Sequence, residues 1–171
     1  MAASPDLSRR ALLRGRVHAP PPLRPPWALA EPAFLAACTA CDRCIQACPE
    51  QVLVRAGGGL PVFEPARGEC TFCGDCADAC APRALQRGAS APWGHVAVLG
   101  EACLTGQGVV CLSCAEACPE RAIRMQRRGP VAVPVIDPAT CSGCGACVGV
   151  CPTAAVSLRA DAGVPSTGVP A

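Results

Sequence analysis

The chain has 171 residues, room for one domain or two small ones, and only 3% of them are aromatic. Much of its apolar fraction consists of small side chains that bury little area each, so an ordinary hydrophobic core is expected to be thin. The formal net charge of +2 gives no support to nucleic-acid binding. No apolar run approaches the roughly 18 residues of a membrane-spanning helix, which leaves the 16 cysteines as the expected source of stability.

The N-terminal segment raises the question of export. Residues 8–13, SRRALL, look like the start of a twin-arginine export signal. Such a signal continues with an uncharged apolar segment of about 7–15 residues. Here Arg14 and Arg16 follow at once, and the proline-rich PPPLRPPW of residues 20–27 comes next. We therefore expect a cytoplasmic protein with an Arg/Pro-rich N-terminal arm over residues 1–30.

Four groups of four cysteines follow the arm, each with a proline one or two residues behind its last cysteine. Motifs 1, 2 and 4 share the spacing C-x2-C-x2-C-x3-C, whereas motif 3 extends its first gap to seven residues, CLTGQGVVC. Motifs 1 to 4 consist, in order, of Cys38/Cys41/Cys44/Cys48, Cys70/Cys73/Cys76/Cys80, Cys103/Cys111/Cys114/Cys118 and Cys141/Cys144/Cys147/Cys151. Such self-similarity indicates duplicated units.

The cysteine spacing favours iron–sulfur clusters over the other uses of cysteine. A chain without a secretory signal is not expected to carry a disulfide framework, since cytosolic thiols are kept reduced. Structural zinc usually takes two CxxC pairs separated by a loop. Three cysteines in one tight turn, a fourth four residues on and a proline behind it form the bacterial ferredoxin pattern for [4Fe–4S] clusters. We therefore predict four [4Fe–4S] clusters, with zinc and disulfides as the less favoured alternatives.

In that pattern the fourth cysteine of one motif ligates the cluster of the other motif. Three thiolates converge from one loop, while the fourth begins a helical turn that points away. The predicted ligands are Cys38, Cys41, Cys44 and Cys80 for cluster 1; Cys70, Cys73, Cys76 and Cys48 for cluster 2; Cys103, Cys111, Cys114 and Cys151 for cluster 3; and Cys141, Cys144, Cys147 and Cys118 for cluster 4. This assignment uses all 16 cysteines.

Motif 3 leaves an alternative open, because seven residues separate Cys103 from the next cysteine. Cys103 is either a ligand of a complete cluster or a spare thiol beside a three-iron or labile cluster. The completeness of the cysteine count favours full ligation. Gly106 and Gly108 give the longer loop the conformational freedom to close.

The repeat divides the chain into two similar halves. We predict a first module over residues 31–88, a linker over 89–95, a second module over 96–160 and a flexible tail over 161–171. A run suited to a short β-strand follows each motif (VLVR, ALQR, AIRM and AVSL), and VAVPVID precedes motif 4. The predicted fold is therefore α+β: two tandem ferredoxin-like modules, each with two clusters, short antiparallel hairpins and short helices.

The sequence contains no recognisable catalytic pattern. It has no Ser/His/Asp arrangement, no phosphate-binding loop and no dinucleotide-binding glycine pattern after a strand, so we predict no catalytic residue and no enzymatic activity. Each module is too short for an independent core, and ligation free energy is folding free energy, so the metal-free chain is expected to be largely unfolded.

These features resemble the NapF family, the ferredoxin-type accessory proteins of periplasmic nitrate reductase systems. The resemblance rests on the SRRALLRGR start, the RPPW that follows, the four cysteine motifs and the expanded motif 3 in EACLTGQGVVCLSC. It extends from about Ser8 to Leu158, and all 16 cysteines match the family's ligand positions. One departure is Cys80-Ala81-Pro82, where the proline comes one residue late.

The resemblance implies a cytoplasmic protein that binds the catalytic subunit of periplasmic nitrate reductase before its export and helps to mature it. A general polyferredoxin electron carrier, or an electron-wire subunit of a redox complex, is the alternative, and electron donor or acceptor proteins would then be partners. A scaffold that donates its own clusters is a third, less favoured hypothesis. Neither a nucleic-acid partner nor a membrane span is expected.

Overall fold

The computed structural model describes residues 22–88 and 93–160. The export-like start at residues 8–13, the predicted tail over 161–171 and residues 89–92 of the predicted linker lie outside these ranges. Within them the elements are short, because glycine, proline and the cysteine loops interrupt the chain every few residues. No helix in the described ranges is both long and apolar enough to cross a membrane.

The first module contains three short helices and one β-hairpin. The elements are helix α1 at Glu31–Ala37, helix α2 at Arg43–Gln46, strand β1 at Leu53–Arg55, strand β2 at Pro61–Phe63 and helix α3 at Asp75–Asp78. Strands β1 and β2 pair antiparallel, with Leu53 opposite Phe63. The hairpin turn is Gly57–Gly59, in which Gly58 takes a φ of +80° that favours glycine.

The second module repeats this plan with longer strands. Its elements are strand β3 at His95–Leu99, helix α4 at Ser113–Glu116, strand β4 at Ile123–Arg127, strand β5 at Ala132–Ile136, helix α5 at Ala146–Gly149 and strand β6 at Val156–Ala160. Strands β4 and β5 form an antiparallel hairpin, and β3 pairs antiparallel with β6. The first and last strands of the module therefore close it, and His95, assigned by sequence to the linker, begins β3.

Four of the five predicted strand runs form strands: VLVR, AIRM, VAVPVID and AVSL contribute β1, β4, β5 and β6. The fifth run, ALQR, makes only an isolated antiparallel bridge between Leu85 and Ala28. This bridge occupies the place that the β3–β6 pair has in the second module. Pro25 and Pro26 precede Ala28 and lack the N–H groups that a longer ladder requires.

Residues 22–30, which the sequence assigns to the N-terminal arm, lie against the first module. The Leu23 carbonyl accepts a hydrogen bond from Phe63 N–H at 2.7 Å, and Leu29 N–H donates to the Ala84 carbonyl at 3.0 Å. Pro25 and Pro26 are fully buried. The arm therefore joins the module seven or more residues earlier than the predicted boundary, because its prolines and Leu23 cover apolar surface that the small module leaves open.

The apolar core is thin, as the composition predicts. The largest fully buried side chains are Phe34, Val52, Pro25 and Pro26. Three cysteines, Cys76, Cys114 and Cys147, belong to the same buried cluster as Phe34 and Val52. The modules are therefore built around their cysteine loops rather than around large hydrophobic side chains.

The two modules pack directly against each other around Trp93. Its ring lies 4.9 Å from the Phe63 ring and 5.8 Å from the Phe72 ring, measured between centroids. Its indole Nε1–H donates to the Ser142 carbonyl at 3.1 Å, on the loop of motif 4. Gly145 fits against the first module because it has no Cβ: one built there would lie 2.9 Å from Pro65 Cβ.

We expect Gly145→Ala to weaken the contact between the modules. Gly58→Ala is the matched control, since its glycine has a similar positive φ but no atom within 4 Å of a built Cβ. Both variants incur the strain of a left-handed residue, and only G145A adds the collision with Pro65 and Phe63, which costs about 1–3 kcal/mol. Anaerobic urea unfolding, followed by circular dichroism and cluster absorbance, measures the difference; equal losses in the two variants would show that the contact is unimportant.

Candidate metal centres

The structure arranges the cysteines around four cavities, each lined by four thiols from two motifs of one module. The cavities contain about 310 to 340 Å³ of space between protein atoms, including their openings. The lining cysteines are Cys38, Cys41, Cys44 and Cys80 in cavity 1; Cys48, Cys70, Cys73 and Cys76 in cavity 2; Cys103, Cys111, Cys114 and Cys151 in cavity 3; and Cys118, Cys141, Cys144 and Cys147 in cavity 4. These four sets have the same members as the predicted ligand sets of clusters 1 to 4.

The thiols line the walls of the cavities rather than meeting at a point. Within residues 22–88 and 93–160, no three His, Cys, Asp or Glu side chains converge closely enough to hold a single metal ion. Four thiols spread around a cavity suit a polynuclear iron–sulfur group, which presents several irons to several sulfurs. The residues present therefore fit a [4Fe–4S] cluster in each cavity.

Backbone conformation explains how one loop aims three thiols into a cavity. In motif 4, Gly143 and Gly145 take φ values of +72° and +88°, on either side of Cys144. Motif 2 has the same arrangement at Phe72 and Gly74, with φ of +52° and +89°. Two left-handed residues separated by one cysteine wind the loop tightly, and the thiols point to its inner side.

The fourth cysteine of a motif is held by a different device. A left-handed residue stands three positions after it, as at Arg83, Arg121 and Ala154. This turn directs a backbone N–H one or two residues further on back onto the cysteine sulfur. Such bonds run from Leu85 N–H to Cys80 Sγ at 3.4 Å, from Ala122 N–H to Cys118 Sγ at 3.3 Å and from Ala155 N–H to Cys151 Sγ at 3.2 Å. These bonds hold each sulfur in a fixed orientation.

The electrostatics of the cavities call for a cationic occupant. Burial, followed by the charge of neighbouring thiolates, raises the pKa of Cys76 and Cys147 to about 12. Burial is also the main cause that raises the pKa of Cys44 and Cys70 to about 11. Four thiolates around one cavity are unfavourable by themselves, and an iron core supplies the positive charge that displaces their protons.

Motif 3 closes its cavity in spite of its expanded first gap. Cys103 lies on the wall of cavity 3 with the other three thiols. The intervening chain forms a 3₁₀ turn at Leu104–Gln107 and ends it at Gly108, whose φ is +80°. Of the two glycines expected to let this loop close, only Gly108 takes a left-handed conformation, and Gly106 has an ordinary φ.

The four cavities follow one another in the order 1, 2, 4, 3. Helix α2 packs on α3 between cavities 1 and 2, and α4 packs on α5 between cavities 3 and 4. Between the modules, Cys70 N–H of cavity 2 donates to the Cys144 carbonyl of cavity 4 at 2.8 Å. The contact between modules therefore joins the loops of two candidate metal centres.

Three hydroxyl groups beside cavity 3 are site residues that the sequence analysis missed. Thr105 Oγ1 lies 3.2 Å from Cys103 Sγ, Ser113 Oγ lies 3.7 Å from Cys111 Sγ, and Thr153 Oγ1 lies 3.7 Å from Cys151 Sγ. Their signal in the sequence is C-x-[S/T], a hydroxyl residue two positions after a cysteine, which occurs at these three cysteines alone.

Comparison with known families agrees with this geometry. Two separate matches to a 4Fe-4S dicluster domain cover residues 37–85 and 109–155. Each match spans one module, so the chain carries two tandem dicluster ferredoxin domains. The second match begins after Cys103, so it does not bear on the role of this cysteine.

Similar curated proteins extend the likeness beyond the cysteine motifs. The ferredoxin-type protein NapF of Escherichia coli strain K12 is 38% identical over 156 residues, covering 90% of this chain and 95% of that protein. NapF of Haemophilus influenzae is 36% identical over 138 residues, with 80% and 78% covered. The methylamine utilization ferredoxin-type protein MauM of Methylophilus methylotrophus is 35% identical over 160 residues, with 80% and 69% covered.

Paired cysteine variants distinguish crossed ligation from ligation within one motif. If the cavity sets are the ligand sets, C38A/C80A removes two of the four thiols of cluster 1, leaves the other clusters intact and lowers iron per chain by about a quarter. The matched variant C38A/C48A then touches clusters 1 and 2 and lowers iron by about a half. Iron and acid-labile sulfide in anaerobically purified protein give the answer, and the reverse ranking would contradict the crossed assignment.

Proposed function

We propose a function for this chain as a member of the NapF family of ferredoxin-type iron–sulfur proteins, to which it belongs. It is a cytoplasmic accessory factor with four [4Fe–4S] clusters. It binds the catalytic subunit of periplasmic nitrate reductase before that subunit is exported. In this role it assists maturation of the subunit, with electron transfer as the chemistry that the clusters supply. The proposed ligands are the four cysteine sets that line cavities 1 to 4.

The arrangement of sixteen cysteines in four sets of four is the observation that supports this proposal most strongly. Each set combines three thiols from one loop and one from the partner motif, as a [4Fe–4S] cluster requires. When bound, such clusters take up and release single electrons. The protein's part is to hold the sulfurs, to shield them with the hairpins and to keep neighbouring centres in contact.

The expanded loop of motif 3 supports the binding part of the proposal. Val109 and Val110, next to cavity 3, are 50% and 74% exposed. Apolar side chains side by side at a loop tip favour contact with a partner protein. The proposed occupant of this surface is the precursor of the nitrate reductase subunit, since the expanded gap is part of the resemblance to the NapF family.

A general electron carrier is the second candidate. The order of the cavities favours it, because two rim thiols, Cys41 and Cys73, are exposed at cavities 1 and 2 while cavity 3 lies at the far end. A row of adjacent centres that is accessible to solvent at one end is suited to exchanging electrons with a soluble donor or acceptor. The likeness to MauM, a ferredoxin-type protein of a different utilization system, is compatible with this role.

The accessory role predicts that the protein co-purifies with the nitrate reductase precursor that still carries its export signal. Val110→Ser is expected to reduce the recovered precursor severalfold, because it makes the apolar loop tip polar. Leu35→Ser is the matched control: Leu35 is 49% exposed on helix α1, away from motif 3. Both variants must retain the iron content of the unaltered protein.

A deletion strain separates the two candidate functions. The accessory role predicts lower nitrate reductase activity and incomplete cluster loading of the exported subunit. Full activity and full loading without this protein would contradict that role and leave the electron carrier. Recovery of the precursor with V110S at the level seen with L35S would exclude the loop tip as the docking surface.

A further inference from the structure

We infer that the hydroxyl groups of Thr105, Ser113 and Thr153 set the redox order of the protein by making the cluster in cavity 3 the most easily reduced of the four. This inference rests on the four-cluster part of the proposed function and is independent of the nitrate reductase part. The ligands concerned are Cys103, Cys111 and Cys151, three of the four thiols of cavity 3.

Each hydroxyl is placed to donate a hydrogen bond to a ligand sulfur. The three oxygen–sulfur distances, 3.2, 3.7 and 3.7 Å, lie within hydrogen-bonding range for sulfur. Thr105 is only 6% exposed, and Cys103 Sγ is the one partner that its hydroxyl has in the described part of the chain. A buried hydroxyl requires a partner, so this contact is built into the fold.

The direction of the hydrogen bonds follows from ligation. A free thiol and a hydroxyl can each act as donor, but an iron-bound thiolate has no proton. In the loaded protein the hydroxyl therefore donates and the sulfur accepts. Cys151 also accepts the N–H of Ala155, which gives cavity 3 four sulfur hydrogen bonds in total.

The other cavities have fewer such donors. In cavity 1, Cys80 accepts one backbone N–H. In cavity 4, two backbone N–H groups reach Cys118 and Cys141. Each of these cavities has one hydroxyl beside a thiol, Thr39 at Cys41 and Ser142 at Cys144, whereas cavity 3 has three. Cavity 2 has Thr71 on its wall, without a hydrogen bond from that hydroxyl to a thiol in the described residues.

Hydrogen bonds to cluster sulfurs raise the reduction potential. One-electron reduction adds a negative charge that spreads onto the sulfurs, and a donor stabilises the more negative state more strongly. The cavity with the most donors is therefore expected to have the highest potential. Because cavity 3 stands at the end of the order 1, 2, 4, 3, electrons collect beside the expanded loop with its exposed Val109 and Val110.

The test is an anaerobic redox titration with dithionite, followed by electron paramagnetic resonance, on the full chain. The triple variant T105V/S113A/T153V is nearly isosteric and removes all three hydroxyls. We expect it to lower the highest of the four midpoint potentials by about 59 mV, a tenfold change in a one-electron equilibrium, and to leave the other three in place. The single variants T105V, S113A and T153V each give part of this shift.

Two sets of controls complete the experiment. T105S, S113T and T153S keep a hydroxyl and are expected to restore the unaltered potential, whereas T71V is the matched control in cavity 2 and is expected to change nothing. Unaltered potentials in the triple variant would overturn the inference, as would a shift in a lower-potential cluster. Loss of iron from both the triple and the single variants would also overturn it, since the hydroxyls would then hold the cluster rather than tune it.

Measuring the iron content of the unaltered protein shows which of the two proposals has failed, the hydroxyl inference or the four-cluster proposal. Four clusters per chain with unmoved potentials refute the hydroxyl inference alone. Fewer than four clusters in the unaltered protein refute the cofactor proposal itself. Neither result depends on binding to nitrate reductase.

Discussion

The grouping of thiols from two motifs around one cavity is the constraint on which the rest of the structure depends. The largest fully buried side chains are few, and two of them are prolines of the N-terminal arm. Hairpins of three to five residues per strand have little stability in water by themselves. They persist here because the loops on both sides are tied at the same cavities. Metal–thiolate bonds thus take the place that large apolar side chains have in most domains of this size.

The small size of the modules also explains why they pack against each other. Each is small, so a face of each remains to be covered, and the covering elements come from Trp93, Phe63 and the glycines of motif 4. The closest approach therefore lies between metal-binding loops rather than between outer hairpins. If cavities 2 and 4 both hold clusters, this contact between their loops favours movement of electrons from one module to the other.

The sequence predicted the repeated part of the molecule and missed the parts that depend on non-local contacts. Cysteine spacing fixes local backbone geometry, so the motifs, four of the five predicted strand runs and the grouping of thiols followed from it. The role of residues 22–30 did not, because their burial depends on the apolar surface left open near Phe63 and Ala84. Trp93 was placed in a linker since its partners lie some 20 to 50 residues away. The hydroxyls at cavity 3 have a local signal in the C-x-[S/T] pattern, but their contact with ligand sulfurs becomes evident only once the loop of motif 3 is seen to close the cavity.

If the four thiols of each cavity are the ligands of one cluster, the exchange of one cysteine between the two motifs of a module also determines how the protein loses its clusters. Whenever an oxidant destroys the inorganic group in one cavity, thiols are freed on both motifs at once, and the neighbouring cavity loses the anchoring of its walls. Damage is therefore shared by a pair of centres, while the other module keeps its own ties. Oxidative damage would then disable one module at a time, and the resistance of each module to oxidation would be set by the less stable of its two clusters.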